Sequence, residues 1–153
     1  MFTIILLCLV TIFYSAYNLL VKASSSNIHD VSLAPILATL SLQVGALSVS
    51  LVYFMYLLQK GQVVGLPTKA YGWALVAGLC IGTAEVLYFY LFRGVAGEKP
   101  ISASVAIPLI VGGTLLISVL VSRLLFNESI NTGQWLGIGL AVIGLATLAL
   151  SSR

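Results

Sequence analysis

Residues 71–93 read YGWALVAGLCIGTAEVLYFYLFR. As an α-helix, at about 1.5 Å per residue, this stretch crosses a hydrocarbon layer of roughly 30 Å and places Glu85 only about 5 Å past its own midpoint. A carboxylate at that depth costs a few kcal/mol and normally faces a bundle interior or a wet cavity. We therefore take Glu85 as the main functional candidate. The alternative is that Glu85 is neutral, or bonded to a neighbouring tyrosine or serine, and only positions helices.

The composition of the whole chain is that of an integral membrane protein. Of its 153 residues, 60 % are hydrophobic and only 7 % are charged, and the mean hydropathy is +1.14. The net charge is +3, but the basic residues are scattered singly, so no patch could follow a nucleic-acid backbone. We find no hydrolase, cofactor or metal-ligand spacing, and we predict a protein that is not an enzyme and holds no cofactor and no metal.

Five segments are long and apolar enough to span a bilayer, and only short polar connectors separate them. We predict an all-α membrane protein, a bundle of five transmembrane helices that forms one domain over residues 1–153. The spans are predicted at residues 2–21, 35–58, 71–92, 101–126 and 133–150. Asn131, followed three residues later by Gln134, is typical of a capping box at the start of the fifth helix.

Basic residues give no clear orientation in the membrane. If the N-terminus and the connectors after the second and fourth helices share one side, three basic residues face four: Lys60, Lys69 and Arg123 against Lys22, Arg93, Lys99 and Arg153. Because such a balance gives no usable positive-inside bias, insertion in both orientations is one hypothesis, and a single orientation is the alternative.

Two helices carry polar or small residues along one stripe. In the first helix the stripe holds Thr11, Tyr14, Ser15, Asn18 and Lys22. In the third it holds Gly78, Gly82 and Glu85, and it extends to Tyr88 and Phe89 if the stripe is drawn wider. If both stripes face a common cavity, its carboxylate and aromatic rings suit an amine, an amino acid or an aromatic cation. The predicted substrate-binding or coupling residues are Glu85, Asn18, Tyr14, Tyr88 and Ser15. The alternative for the first stripe is hydrogen bonding between helices.

Small residues and one proline mark packing surfaces and a bend. Ridges of small residues let helices approach closely, and we predict such packing roles for Gly78, Gly82, Gly133, Gly137 and Ala141. Pro108 lies inside the fourth helix with Gly112 one turn on, which predicts a hinge there. A purely structural kink is the alternative.

The chain resembles a known family in three stretches: residues 82–90 (GTAEVLYFY), the helix that contains Pro108, and residues 125–144, where LFNESI leads into QWLGIGLAVIG. These resemble the drug/metabolite transporter superfamily, specifically an EamA-like half, over nearly the whole chain. The resemblance implies a five-helix half that pairs with an inverted partner around a substrate cavity. The small multidrug resistance relatives are antiparallel homodimers with a carboxylate in the first helix, whereas this chain has Asn18 there and its acid in the third.

Because the number of spans is odd, a tandem fusion of two such units places the second copy in the opposite membrane orientation. An unfused unit obtains an inverted partner only from a second chain. We therefore expect a homodimer, antiparallel, that moves a small molecule by alternating access in a bacterial inner membrane. Glu85 would then face the shared cavity from both protomers and would suit proton coupling or cation binding. Two alternatives are open: a non-transporting assembly factor or regulatory subunit, and one half of a heterodimer.

Overall fold

A computed structural model describes residues 2–29, 33–62, 65–94 and 99–151, and over these ranges the chain is entirely helical apart from its connectors. The helices are α1 (Phe2–Ser26), α2 (Ala34–Gln59), α3 (Thr68–Arg93), α4 (Ala103–Phe126) and α5 (Thr132–Ser151). Each is long and apolar enough to cross a membrane. The prediction of an all-α membrane protein with five spanning helices is confirmed, and the helices overlap all five predicted spans.

The hydroxyl groups of these helices mostly bond to their own helix. Thr11, Ser15, Thr39 and Thr83, for example, each donate to the carbonyl oxygen four residues earlier, at 2.8–2.9 Å. In hydrocarbon an unpaired hydroxyl is costly, and a carbonyl of the preceding turn accepts a second bond. The predicted alternative of interhelical bonding therefore does not hold for Thr11 and Ser15.

The chain divides into two compact units, and the first, Met1–Pro100, contains α1, α2 and α3. Helix α3 contacts both α1 and α2. The buried residues of this unit lie near the C-terminal ends of α1 and α3 and the N-terminal end of α2: Val21, Ser25, Pro35, Thr39, Glu85, Tyr88, Phe89 and Phe92. We call this region the packed end. Helix α2 runs antiparallel to α1 and to α3. Its N-terminal end therefore lies on the same side of the unit as the C-terminal ends of α1 and α3.

The other half of the same unit is exposed within the chain. Residues 2–16 of α1, 43–56 of α2 and 71–81 of α3 are exposed throughout. In a membrane such side chains face lipid, a cavity or another chain, so exposure by itself is compatible with the apolar composition. The first unit is therefore packed at one end and open at the other.

The second unit, Ile101–Arg153, is an antiparallel pair in which α4 contacts α5. Gly112 is the point of closest approach that we can assign, because a Cβ added there would overlap the side chain of Leu145. Helix α4 is continuous through Pro108. The hinge at Pro108 and Gly112 stays a prediction, whereas close packing is what the structure shows for Gly112.

The ends of α4 and α5 follow their sequence signals. Asn127 ends α4 in the left-handed conformation, with φ of 52°, which asparagine tolerates better than most residues. At the start of α5, the Gln134 amide N–H donates to Asn131 Oδ1 and the Asn131 N–H donates to Gln134 Oε1, both at 2.8 Å. The predicted capping box is confirmed.

Replacing Gly112 by alanine tests the α4–α5 contact. We expect Gly112→Ala to be less stable than Gly113→Ala by about 1–3 kcal/mol, because only the first must displace Leu145. Both changes gain the same helix propensity, so their difference reports packing. The measurement is equilibrium unfolding in mixed detergent micelles. In a Leu145→Ala background the two alanine variants should become equally stable, and a persisting gap would contradict the packing assignment.

Candidate functional site

A groove of about 530 Å³ lies between the three helices of the first unit. Each helix supplies part of its lining: Phe13, Tyr14 and Tyr17 from α1, Leu42, Gln43 and Ala46 from α2, and Gly78, Ile81 and Glu85 from α3. The lining is largely apolar and aromatic, with a carboxylate, an amide and phenol groups. This composition is typical of sites for small organic molecules.

The groove lies near the middle of all three helices. Tyr17 is about 5 Å past the midpoint of α1, Gln43 about 5 Å before that of α2, and Glu85 about 7 Å past that of α3. Because α2 runs opposite to α1 and α3, all three displacements point toward the packed end. The groove therefore lies slightly to the packed side of the middle of the three helices.

Glu85 is the buried acid of this groove. Its residue surface is only 6 % exposed, and its Oε2 atom has no hydrogen-bond partner among the described residues. The Tyr17 hydroxyl lies beside the carboxyl group, close enough for a weak hydrogen bond to it. However, the Tyr17 oxygen is itself buried and lacks a partner with hydrogen-bond geometry in the described part of the chain. Two buried polar atoms thus meet at the groove with bonding capacity to spare.

On the packed side of Glu85, α1 and α3 are joined by a hydrogen bond between side chains. The Tyr88 hydroxyl donates to Asn18 Oδ1 at 3.0 Å, and the Tyr88 ring packs on Phe92 with centroids 4.6 Å apart. Tyr88 is buried and Asn18 is half-buried. Neither residue lines the groove itself, so this pair forms the floor next to Glu85.

Two cations complete the packed end. Lys22 Nζ donates to the Phe92 carbonyl oxygen at 3.3 Å and lies 5.1 Å from the centre of the Phe92 ring. Arg93 donates to the carbonyl oxygen of His29 at 3.0 Å. A cation from α1 thus bonds to the end of α3, and a cation from α3 bonds to the chain just after α1. These reciprocal bonds tie the two helices together at one end.

The structure brings together part of the predicted site. Glu85 and Tyr14 line the groove, with Tyr14 61 % exposed, and Asn18 and Tyr88 lie beside it. Ser15 lies outside the lining and bonds to its own helix. Their roles in binding or coupling stay predictions.

The predicted packing glycines have different surroundings. Gly78 lines the groove and has open space where a Cβ would be, whereas a Cβ at Gly82 would lie 3.0 Å from Gln43 Nε2. In the second unit, Gly137 and Ala141 line a separate cavity of about 440 Å³ along α4 and α5. A Cβ at Gly133 would lie 3.3 Å from Asn131 Oδ1, within the helix cap. Of these glycines, Gly82 has the close interhelical neighbour expected of a packing residue.

Six lining residues were missed by the sequence reasoning: Phe13, Tyr17, Leu42, Gln43, Ala46 and Ile81. Tyr17 is three residues after Tyr14, and their rings meet edge to face at 6.3 Å, so a wider stripe on α1 would have included it. Gln43 is a polar amide in the apolar interior of α2. That placement is itself a signal that could have found it.

A double-mutant cycle between Asn18→Ala and Tyr88→Phe tests the floor of the groove. We expect a coupling free energy of about 0.6 kcal/mol, and at most about 1.7, as for other hydrogen bonds between membrane helices. The measurement is unfolding in mixed micelles. The matched control pairs Ser15→Ala with Tyr88→Phe and should give no coupling, because the Ser15 hydroxyl bonds within α1. Equal coupling in the two cycles would contradict the bond.

The groove offers one carboxylate, and no three His, Cys, Asp or Glu residues of the described ranges come close enough to share a metal ion. Together with the aromatic rings and the amide, this lining suits an organic cation, which needs one charge partner and apolar surface. No family model, no curated protein and no solved structure matches this chain.

Proposed function

We propose that the chain is a membrane transporter or exporter of a small organic molecule, and that its substrate is an amine or another organic cation bound in the α1–α3 groove. One observation carries the proposal: a carboxylate that is 94 % buried, with an unpartnered oxygen, lines a groove at mid-helix depth. Ionisable groups at such depth are costly and mark substrate or ion pathways.

The other lining residues support a cation as substrate. Phe13, Tyr14 and Tyr17 supply aromatic rings to the groove, and the face of such a ring attracts a positive charge. A cation also removes the cost of leaving the Glu85 carboxylate unpaired in an apolar region. An anion would be repelled by the negative charge of the Glu85 carboxylate.

The uneven packing of the first unit supports alternating access. The groove begins at the packed end, where Glu85 lies, and extends into the exposed half of the unit. A substrate could enter from the open half while the packed end blocks the opposite side. Transport then requires a second state in which the contacts of the packed end loosen and the open half closes.

The proposed assembly is a homodimer with its two copies antiparallel, in the manner of an EamA-like half that pairs with an inverted partner. The five spans and the balanced basic residues support it, because the same chain then supplies both orientations. The bacterial inner membrane is the proposed location.

Flux through purified protein in vesicles tests the function. We expect labelled tyramine, a small aromatic amine, to cross faster than in protein-free vesicles, and Glu85→Gln to lower this flux about tenfold or more. The reason is that a bond between a charged donor and a carboxylate is worth about 1.5–3 kcal/mol. Glu128→Gln is the matched control, since Glu128 is exposed in the loop after α4, and it should keep wild-type flux.

Two results would count against this function. Full flux in Glu85→Gln would remove the carboxylate from the transport step. Wild-type flux at the protein-free baseline, for tyramine and for labelled amino acids and drug-like cations alike, would favour the non-transporting assembly factor or regulatory subunit.

The antiparallel dimer predicts two membrane orientations. Reporters fused to the C-terminus, active on one side of the membrane only, should both give signal. Lys60→Gln with Lys69→Gln should drive the C-terminus into the cytoplasm, because the opposite side then holds the excess of basic residues. Lys99→Gln with Arg153→Gln should shift the population the other way. One orientation in the wild type would exclude the antiparallel homodimer.

A further inference from the structure

We infer that the ligand of the α1–α3 groove is a protonated amine with at least two N–H donors, a primary or secondary ammonium, and that Tyr17 selects it against quaternary ammonium ions. This inference rests on the proposed use of the groove as a cation site and names the chemical class of the cation. The two buried oxygen atoms that lack partners carry it.

Glu85 Oε2 and the Tyr17 hydroxyl oxygen are the two atoms in question. Both are buried and lie side by side, and in the ranges that the structure describes neither has a partner with full hydrogen-bond geometry. A Tyr17 O–H that turns toward the carboxyl group leaves lone pairs on both oxygens to accept from a ligand. Leaving a buried acceptor unsatisfied costs the full desolvation of that group. Both residues line the same groove, so one ligand nitrogen with two N–H groups can donate to both oxygens.

A quaternary ammonium cannot meet this demand. It carries the same charge and satisfies aromatic rings through cation–π contacts, but it has no N–H to donate. With such an ion bound, Glu85 Oε2 and the Tyr17 oxygen would receive no N–H donor from it and would face its methyl groups. Sites built to bond a ligand N–H reject analogues that lack it, because their polar groups are then left buried and unpaired.

A third acceptor fits a primary ammonium. The Gln43 side chain lines the groove from α2, and its amide oxygen can accept an N–H. Its nitrogen lies against the backbone of α3 at Gly82. Glu85, Tyr17 and Gln43 together offer one acceptor from each helix, which matches the three N–H groups of R–NH₃⁺.

The remaining lining sets the body of the ligand. Phe13, Leu42 and Ile81 give the groove apolar walls, and its volume of about 530 Å³ holds a single aromatic ring with a short chain. Tyramine has this shape. Its N,N,N-trimethyl derivative keeps the ring and the charge and loses all three donors, so the two compounds form a matched pair of probes.

Binding of this pair to the purified full-length protein in lipid nanodiscs, measured by isothermal titration calorimetry, tests the inference. The wild type should bind tyramine at least about tenfold more tightly than the trimethyl derivative. Tyr17→Phe should reduce this ratio severalfold by weakening tyramine alone, because phenylalanine keeps the ring and removes the acceptor. Glu85→Gln should weaken both compounds.

Tyr53→Phe is the control for the loss of a hydroxyl, since Tyr53 is an exposed residue of α2 outside the groove, and it should keep the wild-type ratio. Size-exclusion profiles and helical content verify that each variant is folded. Equal affinity of the wild type for both compounds would overturn the inference while leaving cation transport intact. Binding of neither compound would overturn it too.

Two further outcomes separate selection from structure and from transport. If Tyr17→Phe weakened both compounds by the same factor, Tyr17 would only hold Glu85 in place, and its role in selection would be wrong. If the predicted ratio were found without any flux in vesicles, the amine site would stand and the transport function would fall.

Discussion

Inside hydrocarbon a polar group has no water to bond with, and the structure of this chain follows from how each such group is satisfied. The backbone is satisfied within five helices. Most hydroxyl groups are satisfied by the preceding turn of the same helix, as at Thr11, Ser15 and Thr83. Among the described residues, three buried side-chain atoms lack a partner with full hydrogen-bond geometry. Two of them, on Glu85 and Tyr17, lie in the groove between α1, α2 and α3, and the third is Arg93 Nε at the end of α3.

This division separates the polar residues that build the fold from those available for chemistry. Asn18 and Tyr88 bond to each other across α1 and α3 and support the groove from beside it. Glu85 is one helical turn away from that pair, yet its Oε2 is without a partner in the described structure. A carboxyl group that only positioned helices would be expected to use both oxygens for that purpose. Glu85 lies beside Tyr17, so the pair combines a contact between helices with oxygen atoms that can still accept hydrogen bonds.

The five helices were predictable because length and apolarity alone decide them, and the capping box at Asn131 and Gln134 is a local pattern. The burial of Glu85 was predictable from its position near the middle of one helix. The partners of Glu85 were not, because helical periodicity assigns a face to each helix but not the neighbour that the face meets. Gln43 lies on α2, and no other residue of that helix was predicted to belong to a binding site. Ser15 shares a predicted stripe with Tyr14, but its hydroxyl is used within α1.

Glycine shows the same limit of sequence reasoning. Gly112 and Gly113 are adjacent and chemically identical, but only Gly112 faces a side chain, that of Leu145. Gly78 and Gly82 are one turn apart on α3, and one faces open space while the other meets Gln43. Small residues at a spacing of four permit close approach. Which of them is used depends on where the neighbouring helix crosses.

The reciprocal bonds of Lys22 and Arg93 have a mechanical consequence. Lys22 joins α1 to the end of α3, and Arg93 joins α3 to the chain just after α1, with the Phe92 and Tyr88 rings packed on each other at the same end. Two stiff helices that are joined at one end can pivot about that end. A rotation of a few degrees at the joint displaces the far tips by several ångströms while the joint itself scarcely moves. Glu85 lies between the joined ends and the free ends of α1 and α3. A small displacement of the helices at the groove would therefore produce a larger displacement at their free ends.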